Sequence, residues 1–581
     1  MKVIGLQSGH DCSYCILEDG IPSVHNELER FIRVKEPLDD SIKFMFDQES
    51  EAVWGDCRHF THMHDGWKDG LRGERTPGQS RSWVKLNNFM KRTNGRFYEP
   101  GHHQAHAANA FFSTNYDEAL IITIDGGGWE SEEIRDDGII NGDFITTFTI
   151  WKGEGNKIYP IHRFPTAEVN IGSLWSKTTG HIFGLGMGMG HDKIGSQAGT
   201  VMGMAALGKV DEYSEYFTDA IIEPGLLDVH WPRDKEILKK KAAVSEQESF
   251  NIALSLQNAT EIKTKHLIDP YIKKYKPKHV VLAGGVVLNS VMVGKMYDWY
   301  DGIVDDFYVC PVPYDGGLAI GCAQFVYHQT LNNPRVTWEN GYCSPYLGKT
   351  YDEKSIMHEL SQHNHKIVTP PIVKSIIGSF GNTEIPEIHR QSKISLEYTK
   401  VTDQDVVDLL TKDNNVISVF GGGSESGRRA LGNRSILADP RSPDMKDIIN
   451  DKVKHRQWFR PFAPSILRED VSDWFMRDVS SPYMTTVVKF KDDVKDKVPA
   501  VVHFDGTARL QTVSEGDNKW YYNFIKKFKE KTGVPLLLNT SFNDREPIVE
   551  TPAHAINCFL GTEIDYLYFF DINILVKRAV R

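Results

Sequence analysis

Three short apolar segments, each running into glycine and polar residues, constrain the fold of this chain most strongly. They are residues 3–6, followed by Ser8-Gly9-His10-Asp11; residues 119–124, followed by Asp125-Gly126-Gly127-Gly128; and residues 280–283, followed by Gly284-Gly285. Their length and composition are typical of buried strands. The first segment predicts a hairpin, because residues 14–17 run back after the turn and end before Asp19-Gly20. Glycine at a strand end lets backbone N–H groups approach an anion closely. Helix-like segments such as residues 252–262, which we expect to pack on a sheet, alternate with the strands. This alternation predicts an α/β fold.

The character of the sequence changes after residue 345. We expect residues 346–398 to form a linker with an edge element, because Pro370-Pro371 and Gly381-Asn382 interrupt a region of mixed composition. A helix is predicted to begin after Thr402, where Asp405 completes a variant of the capping box. The predicted domains are therefore residues 1–345 and residues 399–581.

The composition excludes several classes of protein. The 581 residues carry a net charge of −11, which argues against a general nucleic-acid binder because phosphate contacts need clustered positive charge. There is no run of about 18 apolar residues, so we expect no membrane span. The N-terminus turns polar too soon for a secretory signal, and the seven cysteines are widely spread. Both features predict a reducing, cytoplasmic setting.

The segment His102-His103-Gln104-Ala105-His106 is a candidate metal-binding turn. The nearby alanines favour a helix, which would place the first and last histidines one turn apart on one face and direct the middle one elsewhere. Two imidazoles at that spacing can bind one transition metal; the alternative is a surface helix with exposed histidines. Asp125 and Asp315 lie at predicted strand ends and add carboxylates. This set of side chains suits iron(II), manganese or zinc.

Two other patterns are weaker signals. His59-x-x-His62-x-His64 has no accompanying glycine turn or strand-end carboxylate, and we expect an exposed polar loop there. The glycines of residues 184–190 partly imitate a dinucleotide-binding fingerprint, but no clear strand precedes them and no fitting acidic residue follows. A nicotinamide site is therefore rejected in favour of a loop near a substrate.

A second candidate site is rich in arginine. It comprises residues 426–435, residues 454–460, Asp505-Gly506-Thr507-Ala508-Arg509 and Asn539-Thr540-Ser541-Phe542-Asn543. Arginine suits bidentate recognition of phosphate, lysine acts as a point charge, and hydroxyls and amides can complete a triphosphate site. A single arginine usually lies on a solvated face. Several arginines together, interleaved with glycine, asparagine and serine in an acidic protein, favour a bound anion.

Ordered motifs along nearly the whole chain resemble one family. They are Gly9-His10-Asp11, Glu29-Arg30-Phe31 through Lys35, residues 102–107, Asp125-Gly126-Gly127, residues 201–205, residues 284–289, Asp315-Gly316-Gly317, residues 429–437, residues 459–464 and residues 539–543. With these motifs the chain resembles the O-carbamoyltransferases of the nodulation and antibiotic-biosynthesis type, which include the enzyme that carbamoylates tobramycin. The last three motifs are very specific, because chance does not produce them in this order.

The resemblance implies an α/β protein with two domains. Residues 1–345 would form a domain of the actin/Hsp70-ATPase type with a duplicated βα arrangement, similar to the metal-binding tRNA threonylcarbamoyltransferase. Residues 399–581 would form a YrdC-like domain. In such enzymes carbamoyl phosphate and ATP give carbamoyl-adenylate and pyrophosphate in the second domain. The carbamoyl group then passes to an acceptor hydroxyl at the metal site of the first domain.

The resemblance also implies roles for individual residues. The metal ligands would be His102, His106, Asp125 and Asp315, and the residues near the transferred group would be His10, a candidate general base, and Lys35. The adenylate-binding residues of the first domain would be Gly126, Gly127, Gly284, Gly285 and Asn289. The carbamoyl phosphate and ATP site of the second domain would contain Arg429, Lys454, Arg460, Arg509, Ser541 and Asn543.

The implied cofactor is a divalent metal, iron(II) with manganese or zinc as alternatives, and ATP would bring Mg²⁺. The acceptor stays open and would be a small molecule, a sugar or a hydroxylated nucleotide. We expect no membrane association and no general nucleic-acid partner, and a homodimer is an open alternative to a single chain. Three other functions stay open: an ATPase or kinase on an actin-like scaffold, a tRNA threonylcarbamoyl-type enzyme, and a nucleotide-binding, chaperone-like module.

Overall fold

The computed structural model describes residues 1–37, 41–49, 57–64, 81–135, 138–185, 197–363 and 395–579. The chain divides into two units, Met1–Cys343 and Ser344–Arg581. Both units are built from sheets flanked by helices, which confirms the predicted α/β class. Residues 186–190 of the glycine-rich series and residues 364–394 of the predicted linker lie outside the described residues.

The first sheet of the first unit is built on the N-terminal hairpin. Within the described ranges it contains β1 (Lys2–Ser8), β2 (Ser13–Glu18), β3 (Ile21–Glu27), β4 (His59–His64) and β5 (Arg96–Tyr98), in the order β3-β2-β1-β4-β5. β1 and β2 pair antiparallel, with Leu6 opposite Tyr14, which confirms the predicted hairpin. The expectation of an exposed loop at residues 59–64 is wrong. β4 pairs parallel with β1. Phe60, which stands between His59 and His62 in the sequence, is fully buried.

The second sheet repeats the arrangement of the first. It contains β6 (Glu118–Arg135), β7 (Gly138–Glu154), β8 (Lys157–Pro165), β9 (His279–Ala283) and β10 (Asp306–Val309), in the order β10-β9-β6-β7-β8 across the described part of the unit. In both sheets three consecutive strands pair antiparallel, and two later strands add in parallel on the other side of the first strand. This repeated topology confirms the predicted duplication.

The described part of the first unit also contains eleven α-helices. They are α1 (Leu28–Ile32), α2 (Ser41–Gln48), α3 (Arg81–Thr93), α4 (His102–Phe112), α5 (Ile171–Lys177), α6 (Ala198–Ala205), α7 (Ser214–Ile222), α8 (Pro224–Ala242), α9 (Glu246–Tyr275), α10 (Ser290–Trp299) and α11 (Leu318–Gln324). The predicted helix at residues 252–262 is part of α9, although it packs mainly on α6, α7 and α8 rather than on a sheet. Among the described helices, none combines the length and apolar character needed to cross a membrane.

Helix α11 packs tightly between α4 and β1. All seven of its residues are buried. A Cβ atom on Gly321 of α11 would lie 1.9 Å from the carbonyl oxygen of Ala105 in α4. A Cβ atom on Gly5 of β1 would lie 1.9 Å from the carbonyl oxygen of Ala319 in α11. Neither glycine position has room for a side chain. The close contacts of the α11 backbone with α4 and with β1 therefore fix the position of α4 in the unit.

The second unit contains one large mixed sheet. Its described strands are β11 (Leu396–Lys400), β12 (Ile417–Phe420), β13 (Arg434–Ala438), β14 (Ala463–Leu467), β15 (Thr486–Lys489), β16 (Thr507–Val513), β17 (Leu536–Ser541), β18 (Tyr566–Phe569) and β19 (Ile574–Arg578), in the order β11-β19-β18-β12-β13-β17-β14-β16-β15. Its described helices are α12 (Glu353–His363), α13 (Asp403–Leu410), α14 (Met445–Ile449), α15 (Val471–Trp474), α16 (Lys519–Thr532) and α17 (Pro552–Gly561).

The segment expected to be a linker is partly ordered structure of the second unit. Helix α12 contacts α17, and β11 forms the edge of the sheet beside β19, so the boundary falls near Ser344 rather than after a separate linker. The predicted helix start is confirmed at α13. The Thr402 hydroxyl accepts a hydrogen bond from the Asp405 N–H at 3.2 Å, and the Asp405 carboxylate accepts one from the Thr402 N–H at 2.8 Å.

Gly321→Ala tests the close packing of α11. We expect the free energy of unfolding of the first unit to fall by about 1–3 kcal/mol, because the added methyl group overlaps the Ala105 carbonyl. Gly199→Ala is the matched control. Gly199 lies in α6 and a Cβ there meets nothing within 4 Å, so alanine should leave stability unchanged or raise it by up to about 1 kcal/mol. Urea denaturation followed by circular dichroism measures both variants, and equal stabilities would contradict the close approach.

Candidate metal centre and anion site

Helix α4 presents His102 and His106 on one face, as their spacing predicts. Their ring centroids lie 4.9 Å apart. His103 points elsewhere, and its Nδ1 lies 2.8 Å from the Thr123 hydroxyl. All three rings are buried, so the alternative of a surface helix with exposed histidines is wrong.

The buried carboxylate of Glu130 lies at the N-terminus of α4. Glu130 accepts a hydrogen bond of 2.5 Å from the backbone N–H of His103 and lies 3.4 Å from the Arg163 guanidinium. Both side chains of this ion pair are only 2% exposed. A negative charge at a helix N-terminus is favourable because the first N–H groups point towards it. Glu130 therefore positions the turn of α4 that carries the histidines.

Asp125 reaches the histidines from a bulge in β6. The expectation that the strand ends here is wrong, because β6 continues after a register shift between Ile124 and Gly128. A Cβ atom on Gly128 would lie 2.0 Å from Cγ of His102, so only glycine fits beneath that ring. Asp125 Oδ2 lies 3.3 Å from His102 Nε2, and Oδ1 accepts a hydrogen bond of 2.7 Å from the Gly285 N–H. Burial alone would raise the pKa of Asp125, but the hydrogen bond with His102 and the charges of the nearby imidazoles hold it well below its ordinary value.

Asp315 approaches from the short turn that follows β10. Its Oδ1 lies 3.4 Å from His106 Nε2. Two side chains of the first sheet hold the turn in place: the Ser13 hydroxyl and His25 Nε2 each lie 2.8 Å from the Gly316 carbonyl oxygen. The carboxylate of Asp315 is thereby fixed beside the face of α4 that carries the histidines.

These four side chains form a compact set of metal-type ligands. One ligand atom from each of His102, His106, Asp125 and Asp315 lies within 4.8 Å of the others. Both ring nitrogens of His106 are buried, and neither forms a hydrogen bond with any described residue. A buried imidazole without a hydrogen-bond partner is costly, and a bound cation would remove that cost. Two nitrogens and two carboxylates fit a divalent transition metal.

His10 lies in an acidic environment. Its Nδ1 is 2.9 Å from Asp11 Oδ2, and its Nε2 is 3.9 Å from Glu36 Oε2. Burial alone would lower the pKa of His10, but the two carboxylates raise it to about 10. The imidazole is therefore a cation at neutral pH and suits contact with an anion; its role as a general base stays a prediction. Lys35 is half-buried beside Glu36 in the chain.

Most of the predicted adenylate-binding residues of the first unit lie around Asp125. Gly126 and Gly127 follow it in the bulge, and Gly285 donates to it. Gly284 has a φ of +96°, and a Cβ there would lie 2.1 Å from the Ile124 carbonyl oxygen. Asn289 has a structural role, since its Oδ1 accepts a hydrogen bond of 3.1 Å from the Met292 N–H and caps α10.

In the second unit, Lys454 forms hydrogen bonds with Ser541 and Asn543, two of the other predicted site residues. Its Nζ lies 2.5 Å from the Ser541 carbonyl oxygen, 2.7 Å from the Asn543 carbonyl oxygen and 2.7 Å from Asn543 Oδ1. The lysine is only 3% exposed. Burial, with the charge of Arg456 adding to it, lowers the pKa of Lys454 to about 7.

Arginines cluster within the same unit without matching acids. Burial lowers the pKa of Arg460 to about 10, and burial together with neighbouring arginines lowers those of Arg456 and Arg509. Arg429 is close enough to act on the pKa of Arg509. Among the described residues no carboxylate pairs with Arg456, Arg460 or Arg509, and Arg509 Nε is buried without a hydrogen bond. Arg456, Arg460 and Arg509, the arginine cluster, are half-buried cations, and such a cluster fits a polyanionic ligand.

The structure adds residues to both sites that the motif match did not select. Arg456 belongs to the same motif as Lys454. Its charge and its position two residues after Lys454 could have identified it from the sequence. Gly128 and Glu130 support the histidines through contacts across α4 and β6, and no local sequence pattern reports such contacts.

Known proteins similar to this chain were found along most of its length. Nodulation protein NolO of Bradyrhizobium diazoefficiens is 33% identical over 80% of this chain and 77% of its own length. Nodulation protein NolNO of Sinorhizobium fredii is also 33% identical, and the match spans 80% of this chain but 62% of that protein. Protein sll1178 of Synechocystis is 31% identical over 82% of this chain and 76% of its own length. The solved structure of full-length HypF in a phosphate- and nucleotide-bound form matches 57% of this chain and 56% of its own, with 15% identity and a TM-score of 0.33.

Two family models cover the two candidate sites. The carbamoyltransferase N-terminus model matches residues 79–324, which include the four candidate metal ligands. The carbamoyltransferase C-terminus model matches residues 408–577, which include the lysine and the arginine cluster. The chain belongs to the carbamoyltransferase family. It is therefore an enzyme that transfers a carbamoyl group, and the expectation of a carbamoyltransferase is confirmed.

His106→Ala and Asp315→Asn test the candidate metal centre. After incubation with iron(II), manganese(II) or zinc(II) and desalting, the unaltered protein should retain about one metal ion per chain. Each variant should bind at least ~10-fold more weakly, because a ligand atom is lost. His59→Ala is the control, since His59 lies in β4 and contacts Tyr98 instead. Elemental analysis by mass spectrometry measures retained metal, and equal retention by all four proteins would contradict the ligand assignment.

Proposed function

We propose that this carbamoyltransferase is an ATP-dependent O-carbamoyltransferase with two reaction sites. The second unit would form carbamoyl-adenylate from carbamoyl phosphate and ATP. The first unit would transfer the carbamoyl group to an acceptor hydroxyl at the centre formed by His102, His106, Asp125 and Asp315. The observation that carries the proposal is the half-buried cluster of Arg456, Arg460 and Arg509, because no carboxylate among the described residues pairs with these three cations. Carbamoyl transfer alone does not require a second polyanion site.

The activation step follows from the charges of the second unit. A carbamate oxygen released from carbamoyl phosphate forms a bond to the α-phosphorus of ATP, and the bond from that phosphorus to the bridging oxygen breaks. Pyrophosphate leaves, and the donor's phosphate departs as orthophosphate with uptake of one water. Arg456, Arg460 and Arg509 would neutralise charge that builds up on the phosphates, as their clustering supports. Arginine holds its charge in such a site because its ordinary pKa is so high.

Lys454 is suited to the smaller donor. Its Nζ is held by the Ser541 and Asn543 acceptors, so the ammonium group is oriented before any ligand binds. Its lowered pKa means that the group gains a proton when an anion binds beside it near neutral pH. Lys454 would therefore pair with carbamoyl phosphate while the arginines hold the nucleotide.

The transfer step belongs to the first unit. When bound to the four ligands, a divalent metal would supply Lewis-acid charge beside the adenylate phosphate and the carbamoyl oxygen. His10 carries a proton held by Asp11 and Glu36, and it would stabilise negative charge on the reacting carbamoyl oxygen. His10 could take the proton of the acceptor hydroxyl only after its own ring had lost a proton. The acceptor would be a hydroxyl of a small molecule, a sugar or a nucleotide.

Product analysis tests the proposed activation step. Incubated with ATP, Mg²⁺ and carbamoyl phosphate, the protein should release AMP and pyrophosphate, and neither should form without carbamoyl phosphate. Lys454→Met and Arg460→Met should each slow their release roughly 10²-fold or more, because charge stabilisation of the reacting phosphates is lost. Lys519→Met is the control, since the Lys519 side chain is 78% exposed.

Chromatography of nucleotides and an enzymatic pyrophosphate assay measure the products. The proposal would be contradicted if the unaltered protein formed neither product with candidate acceptors and iron(II) present. It would also be contradicted if Lys454→Met and Arg460→Met, like the control Lys519→Met, released AMP at the rate of the unaltered protein.

A further inference from the structure

Two large aromatic side chains of the second unit stand exposed side by side. Trp458 is 47% exposed and Phe504 is 51% exposed. Their ring centroids lie 5.5 Å apart, with an angle of 82° between the ring planes. Aromatic side chains of this size are usually buried in a core, so an exposed pair indicates a surface that binds something.

The aromatic pair borders the arginine cluster. Trp458 lies in the chain between Arg456 and Arg460, two residues from each. Lys446 Nζ lies 3.9 Å from the centre of the Phe504 ring, so one face of that ring is covered by a cation. The indole of Trp458 is about half exposed, and the ring of Phe504 stands nearly perpendicular to it.

The charges of the arginine cluster act on the pKa values of two residues beside Phe504, Lys446 and His503. Burial lowers the pKa of Lys446 and the charge of Arg456 lowers it further, although Asp447 opposes the shift. His503 precedes Phe504 in the chain, and burial with the charge of Arg509 lowers its pKa to about 4. The side chain of Asn450 joins the two groups: its Oδ1 accepts a hydrogen bond of 2.8 Å from Arg456 Nε, and its Nδ2 donates one of 3.4 Å to the Trp458 carbonyl oxygen. The aromatic pair therefore borders the arginine cluster.

We propose that the exposed indole of Trp458, flanked by Phe504, is the platform on which the base of the nucleotide stacks while the arginine cluster holds its phosphates. The inference rests on the proposed function and deepens it, because it names the side chain that contacts the base. A nucleobase has a flat π face that can stack on an indole ring, whereas carbamoyl phosphate has no such surface. Base-on-aromatic stacking is worth roughly a tenfold to a hundredfold change in affinity on removal of the ring.

Calorimetric titration with ATP and with inorganic tripolyphosphate separates base contacts from phosphate contacts. Trp458→Ala should weaken ATP binding roughly tenfold or more and leave tripolyphosphate binding within about twofold, because only ATP carries a base. Trp458→Phe should recover most of the loss, since a ring is restored. Tyr398→Ala is the matched control, as Tyr398 is 43% exposed in β11. Circular dichroism checks that each variant is folded.

Each outcome has a distinct meaning. If the unaltered protein binds ATP and Trp458→Ala weakens both ligands equally or neither, the stacking platform is contradicted while the phosphate site stands. If the unaltered protein binds tripolyphosphate as tightly as ATP, the base makes no contribution and the platform is again contradicted. If the unaltered protein binds neither ligand, the ATP-dependent function itself fails.

Discussion

Both sites of this protein depend on the burial of polar groups whose partners among the described residues are incomplete. Guanidinium, ammonium, imidazole and carboxylate groups lose hydration when they are buried, and the cost is large unless a partner replaces the water. In the second unit Arg460 and Arg509 lie among other cations instead of acids. In the first unit His106 is fully enclosed, with both ring nitrogens lacking hydrogen bonds among the described residues. The arginine cluster is thereby prepared for an anionic ligand, and the ring nitrogens of His106 are prepared for a metal ion.

The duplicated sheets explain how the first of these sites is assembled. Asp125 lies in a bulge of the first strand of the second sheet, and Asp315 follows the last parallel strand of that sheet. The first sheet contributes the Ser13 and His25 side chains that hold the turn of Asp315. Helix α4 brings the histidines to the same place because it packs on β6 and on α11. The four ligands therefore come from three different parts of the unit, which makes the site a product of the whole fold.

Local patterns in the sequence were sufficient for elements whose determinants are close in the chain. The N-terminal hairpin, the start of α13 at Thr402 and the one-turn spacing of the histidines follow from alternation, capping and helical periodicity. Motif order was sufficient to predict the family. The strand at residues 59–64 was mistaken for a loop because its pairing with β1 depends on residues more than 50 positions away. The continuation of β6 past Asp125 was missed for a similar reason, since the bulge is set by pairing with β7.

The central claim is that one chain separates activation from transfer. Exchange of labelled pyrophosphate into ATP in the presence of carbamoyl phosphate reports formation of the adenylate alone, and it tests the claim most directly in a protein whose transfer site is disabled by His106→Ala. The account predicts that this variant keeps the exchange rate of the unaltered protein within a few-fold while losing carbamoyl transfer to any acceptor. Loss of exchange in a folded His106→Ala protein would show that both steps need the same site and would contradict the account.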